Sequence, residues 1–336
     1  MASLPMGIIL TLLAGLMAGN CILPMKFSRK WKWENTWLVF SIVSLVILPW
    51  MLALGLVDHL FDAYRSLSLL QLAVPFLFGV GWGVAQVLFG ISVARLGLGL
   101  AYAIIIGLGA LLGTLVPLFT QHRAQLGGTA LLDILAGVAV MIIGISLSTW
   151  GGQIRARNER VASQSGPAHG YFAAVLLAIL CGVMAPMLNY SFAFGQDVAE
   201  HAVSAGNTAL RSAYAVWPIG LAGGFLPNLA YSLYLLRKER SWNLYREPVP
   251  DLLWPVLMGV LWMGAMALYG MSATYLGSLG TSIGWGLFQI FMIMTATLSG
   301  VMMSEWKNAP RAARLLLVLG LASLTCATTL LAMGNR

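Results

Sequence analysis

The residues best suited to chemistry come as two copies of one pattern, Trp-x-x-x-Gln: Trp82/Gln86 and Trp285/Gln289. An i, i+4 pair shares one helix face. An indole can stack on the apolar face of a sugar ring, and an amide offers a donor and acceptors to hydroxyls. Asn20, Tyr102, Asn189, Tyr190, Tyr214 and Trp217 also interrupt long apolar runs and are candidates to line the same site. No Asp or Glu falls near the middle of such a run. Ionisable groups at depth normally mark ion paths, so their absence points away from a permanently cationic cargo and towards a neutral, hydroxyl-bearing one. Asp197, Glu200 and His201 form the only acid–histidine cluster, at the end of the sixth run. Histidine titrates near neutrality, which makes this cluster the candidate for proton coupling. Cys21, Cys181 and Cys326 lack metal-ligand spacing, so neither a metal nor another cofactor is expected. A membrane-embedded lipid-modifying enzyme would need a convergent acid, base or metal set, and none is present at depth.

The elements that carry these residues follow from composition. Of 336 residues 59% are hydrophobic and only 9% charged, against about 25% charged in a soluble domain. The apolar runs exceed the roughly 20 residues that cross a bilayer core. They give ten helices, at roughly 4–25, 36–57, 70–94, 97–119, 130–151, 169–195, 211–236, 252–274, 280–303 and 312–333. The run from Leu252 to Ser304 must turn at Leu276-Gly277-Ser278-Leu279-Gly280. No cationic segment precedes the first run, which reads as a retained helix and not a cleaved signal. Numbering loops by parity puts fifteen of the nineteen Lys and Arg on one side, among them Lys26, Arg29, Arg155, Arg157, Arg237, Arg246 and Lys307. Cationic loops stay cytoplasmic, so both termini are expected outside. The net charge of +8 is confined to these short loops, which excludes a nucleic-acid surface.

The chain also resembles itself. Gly79-Val80-Gly81-Trp82 is similar to Gly259-Val260-Leu261-Trp262, and the same offset of 180 matches Leu88, Gly90, Ser92 and Leu96-Gly97 to Leu268, Gly270, Ser272 and Leu276-Gly277. Gly15-Leu16-Met17-Ala18 matches Gly182-Val183-Met184-Ala185 more weakly. This divides the chain into halves at 1–152 and 168–336, joined by a basic linker at 153–167. Five helices is an odd number, so the second half enters the membrane inverted, as in secondary transporters with a site between halves. A single midplane cavity is expected, lined by helices 1, 3, 4, 6, 8 and 9, with Gln86, Trp285 and Gln289 on its wall. Glycines at GxxxG spacing (Gly15/Gly19, Gly79/Gly83, Gly109/Gly113, Gly280/Gly284) read as packing faces.

Several stretches resemble one family. Pro24-Met25-Lys26 with Lys30-Trp31-Lys32-Trp33-Glu34, Ile47-Leu48-Pro49-Trp50, Phe78-Gly79-x-x-Trp82-Gly83 with Gly90, Arg95-Leu96-Gly97, Gly107, Gly113-Thr114-Leu115, and Glu305-Trp306-x-Asn308-Ala309 are similar to the enterobacterial L-rhamnose–proton symporter family. The resemblance implies the drug/metabolite transporter fold, an all-α membrane protein of ten helices in two inverted five-helix repeats. It implies uptake of a monosaccharide such as an L-rhamnose-like deoxysugar, with a proton, across a bacterial inner membrane and with both termini periplasmic. A proton-independent facilitator or exporter of another small uncharged metabolite is the alternative. The expected partners are the sugar, the proton and the lipid bilayer. The oligomeric state is left open.

Overall fold

In the computed structural model the chain is described over residues 3–96, 98–121, 128–160, 171–246 and 250–334, and every regular element among them is helical. Nine apolar helical stretches among the described residues are long enough to cross a membrane. Eight are of ordinary length. The other, Asp251–Met302, is 52 residues long and contains two helices.

Proline and glycine set most of the breaks. α1 (Leu4–Asn20) is followed by a short 3₁₀ segment, Leu23–Phe27, with Pro24 as its second residue. α2 (Trp33–Ile42) runs through a π turn, Val43–Ile47, into α3 (Leu48–Leu56). Pro49 has no N–H for the carbonyl of Leu45, and the helix widens by one residue instead of breaking. α4 (Leu60–Arg65) is a short connector. α5 (Leu69–Leu96) and α6 (Leu98–Gln121) follow, and α7 (Gly128–Arg160) is the longest helix. α7 continues over Gln153–Arg160, where a linker was expected, because Gln, Arg and Glu are good helix formers. The rest of that linker, 161–167, lies outside the described residues, as do Gly97, Arg123 and Arg336.

The sixth apolar stretch is split. α8 (Tyr171–Met184) and α9 (Met187–Ala193) meet at Ala185–Pro186. α10 (Gln196–Ser204) and α11 (Ala209–Ser212) lead to α12 (Val216–Lys238). α13 (Pro250–Leu276) and α14 (Gly280–Met302) are joined by a 3₁₀ turn, Gly277–Leu279. Gly277 has φ +79°, a conformation that favours glycine. α15 (Arg311–Gly334) completes the chain.

Small residues let the helices touch backbone to backbone. A Cβ at Gly79 or Gly83 of α5 would strike the carbonyls of Gly220 or Gly224 in α12. One at Gly15 of α1 would strike Phe291 and Met292 of α14, and one at Gly182 of α8 would strike Leu108 of α6. α7 lies along α15 with Gly144 and Gly320 at the crossing. α1 packs on α13 and α14, and α8 and α9 pack on α5 and α6.

Candidate functional site

The break in the sixth stretch places a side chain with three hydrogen bonds in the interior. Asn189, on α9, is fully buried. Its Nδ2 donates to the carbonyls of Gly113 in α6, at 2.9 Å, and Thr281 in α14, at 2.8 Å. Its Oδ1 accepts from the Tyr269 hydroxyl of α13. The bond to Gly113 has a cause in the sequence. Pro117 sits inside α6 and has no N–H, so the carbonyl four residues before it lacks its helical donor. Tyr190, next along α9, donates to Leu112 of α6 at 2.8 Å. Ser191 donates to Pro75 of α5 at 2.8 Å.

Aromatic rings close this end of the bundle. Trp285 donates from Nε1 to Gly109 at 3.2 Å and meets Tyr269 edge-on, centroids 5.6 Å apart. Trp217 lies face to face with Phe192 at 4.9 Å and 9°. Phe192 in turn contacts Tyr269 at 6.0 Å. The Trp217 indole N–H is buried without a partner among the described residues. Trp82 stacks on Trp262 at 5.3 Å, and both rings belong to the same apolar cluster as Trp217, Trp285 and the buried Tyr214. Three expected site residues, Asn189, Trp217 and Trp285, are thus brought together in a packed, sealed group. Tyr269 and Phe192, which join them, were not singled out in the sequence. Tyr269 lies seven residues after Trp262, two turns along one face, and that spacing was the available signal.

The other expected residues lie elsewhere. The side chains of Gln86 and Gln289 make no hydrogen bond among the described residues. Gln86 is half-buried, and Gly90, one turn on along the same face, borders open space. Gln289 is 5% exposed. Tyr102 is half-buried and edge-on to Phe89 at 5.5 Å. Asn20 donates to Leu16 of its own helix at 2.8 Å. It lines a cavity of about 360 Å³ between the ends of α1 and α14, together with Gly19, Lys26, Ala296, Ser299 and Glu305. Gln86, Trp285 and Gln289 do not line that cavity.

At this end one carboxylate ties three elements together. Glu305, just after α14, pairs with Lys26 beyond α1 and with Arg155 of α7, the latter at 3.2 Å. The Arg155 guanidinium lies 4.9 Å from the centre of the Trp306 ring. Hydrogen bonding from Lys26 holds the Glu305 carboxyl below its ordinary range. Partial burial opposes this, and the charges of Lys26 and Arg155 reinforce it. At the opposite end Asp197 accepts from Gln71 at 3.0 Å, and the His201 Nδ1 lies 2.8 Å from the Asp197 carbonyl oxygen. Asp197 and Glu200 are exposed, on the side of α10 opposite buried Val198 and Ala202. Among the described residues no group of His, Cys, Asp and Glu is placed to hold a metal.

The family model described as L-rhamnose-proton symport protein matches residues 1–336, the whole chain. The chain belongs to the L-rhamnose-proton symporter family. Similar curated proteins agree, each named L-rhamnose-proton symporter. Those of Cronobacter sakazakii and Escherichia coli O1:K1 are each 27% identical, and that of Klebsiella pneumoniae is 26% identical. In each case 99% of this chain and 98% of the relative are covered. By its family this is a membrane transport protein and not an enzyme.

Proposed function

We propose that this chain is a secondary transporter that takes up an L-rhamnose-like deoxysugar, or a related monosaccharide, with a proton and by alternating access. The observation that carries the reading is the family match over the whole chain. The fold we propose has ten crossings, with α13 and α14 counted separately, in two inverted halves at 1–152 and 168–336. The helix packing supports this. α1 packs on α13 and α14, as α8 and α9 pack on α5 and α6; α2 packs on α13 as α12 packs on α5; α7 packs on α15. Exchanging each helix for its counterpart in the other half maps these contacts onto one another. Trp82 and Trp262, matched by the offset of 180, stack on each other, as counterparts beside a two-fold axis would.

The sugar site in this reading lies where α8 gives way to α9, since half-helix ends at depth are typical of transporter sites. Gln86 and Gln289 supply unengaged amides, and Trp82 and Trp285 supply ring faces. Trp217 supplies an indole N–H in need of an acceptor, and Tyr102, Asn20 and Asn189 border the path. The sealed group around Asn189 closes the periplasmic side in this conformation. On the cytoplasmic side the Lys26–Glu305–Arg155 ion pairs span the ends of α1, α7 and α14. The proton is taken up at the periplasmic rim, at Asp197, Glu200 or His201. The protein sits in a bacterial inner membrane with both termini periplasmic, a placement supported by the one-sided loop charges.

Uptake of labelled L-rhamnose into proteoliposomes, with and without an inward proton gradient, tests this. Gradient-driven accumulation supports symport. The exposure of Asp197 and Glu200 favours a second reading, a proton-independent facilitator, which would equilibrate the sugar without accumulating it.

A further inference from the structure

The segment after α12 closes on a cavity of about 450 Å³ lined by Arg237, Arg240, Trp242, Asn243 and Arg246. Its described lining presents three guanidinium groups and no carboxylate. None of the three makes an ion pair among the described residues, whereas Lys26 and Arg155 share Glu305, and Lys32 takes Glu239 at 3.8 Å. Glu239, the acid between Arg237 and Arg240 in sequence, is therefore turned to another loop. Arg240 has φ +52°, and the turn it makes brings the segment 242–246 back beside Arg237.

The approach to this cavity is lipid-like in character. Leu226, Ala230, Leu233, Tyr234 and Arg237 are exposed on one face of α12, at the spacing of a single helical stripe. An exposed apolar stripe on a membrane helix faces acyl chains. Near its end Tyr234 lies 6.3 Å from Tyr231, which lies 6.1 Å from Trp33, and Trp242 is 50% exposed. Such an aromatic band marks headgroup level. The face of α12 thus passes from apolar, through aromatic, to Arg237, beside which lie Arg240 and Arg246, none of the three in an ion pair among the described residues.

We propose that this cavity binds the headgroup phosphate of an anionic phospholipid, with the acyl chains laid along the α12 stripe. Guanidinium forks match phosphate oxygens in pairs. The Asn243 amide can donate to a headgroup hydroxyl. The site does not depend on what the protein transports.

The test is native mass spectrometry of the delipidated full-length protein, titrated with phosphatidylglycerol and, separately, with phosphatidylethanolamine. Each arginine near an anionic headgroup contributes about a five-fold gain in affinity. The variant R237Q/R240Q/R246Q is expected to bind phosphatidylglycerol about 100-fold more weakly, with binding of the zwitterionic lipid unchanged. If the triple variant does not fold, R237Q and R246Q singly carry the test at about five-fold each. Undiminished binding of phosphatidylglycerol by the variants, or equal binding of both lipids by the unmodified protein, overturns the proposal. Displacement of phosphatidylglycerol by millimolar inorganic phosphate overturns it too, since the cavity would then be a site for soluble anions.

Discussion

At the residue scale, two kinds of buried polar group separate. Asn189 makes three hydrogen bonds, whereas the Trp217 N–H, the Gln86 amide and the Gln289 amide make none among the described residues. Removing Asn189 leaves the Gly113 carbonyl and the Tyr269 hydroxyl without a partner. Asn189→Ala is expected to cost about 1–3 kcal/mol, visible as a lower unfolding temperature of the purified protein. Trp217→Phe keeps a ring against Phe192 but removes the indole N–H and part of a buried ring. It is expected to lower that temperature through the cavity it leaves, while weakening sugar binding about two- to ten-fold, the size of one lost hydrogen bond. Gln86→Ala and Gln289→Ala should behave likewise in transport assays. Wild-type apparent affinity in all three would make these residues packing groups. The sequence shows that amides and indoles lie at depth. It does not show which are already engaged, because the partner of Asn189 is a carbonyl freed by Pro117, 72 residues earlier in the chain.

At the element scale, breaks are readable where a single residue causes them. Gly277 marks the turn between α13 and α14, and Pro186 splits α8 from α9. The end of α7 was less legible, since a polar, basic segment suits a solvated helix as well as a linker. The GxxxG glycines are packing faces, and Gly83→Leu would drive a side chain into the Gly224 carbonyl. That variant is expected to fail to accumulate in the membrane, and normal expression would contradict the α5–α12 contact. The Lys26–Glu305–Arg155 ion pairs also act between elements. The Glu305 carboxyl is depressed below its ordinary value near 4.5. Its contribution is therefore fully present above that pH and is lost as pH falls through the lower, folded value. Glu305→Gln should raise hydrogen exchange of the amides at 303–309 at neutral pH. Strong acid should do the same to the unmodified protein. Unchanged exchange in the variant would mean that the ion pairs hold nothing.

At the scale of the whole molecule, the class of protein was legible from charge depletion and run length alone, and the family from short motifs spread along the chain. The open or closed state of the path was not, because it depends on which helix ends meet. The one-sided loop charges predict that Arg157 is cytoplasmic, and thiol labelling of Arg157→Cys from the periplasmic side should fail; labelling there would reverse the proposed topology. The central claim is proton-driven sugar uptake, and one assay addresses it most directly. The purified protein in proteoliposomes should accumulate labelled L-rhamnose or a related monosaccharide above equilibrium when the outside is acidic. Collapsing the gradient with a protonophore should abolish that accumulation. Sugar that enters only to equilibrium, with or without the gradient, would contradict symport, and no entry of any sugar tested would contradict the transport reading itself.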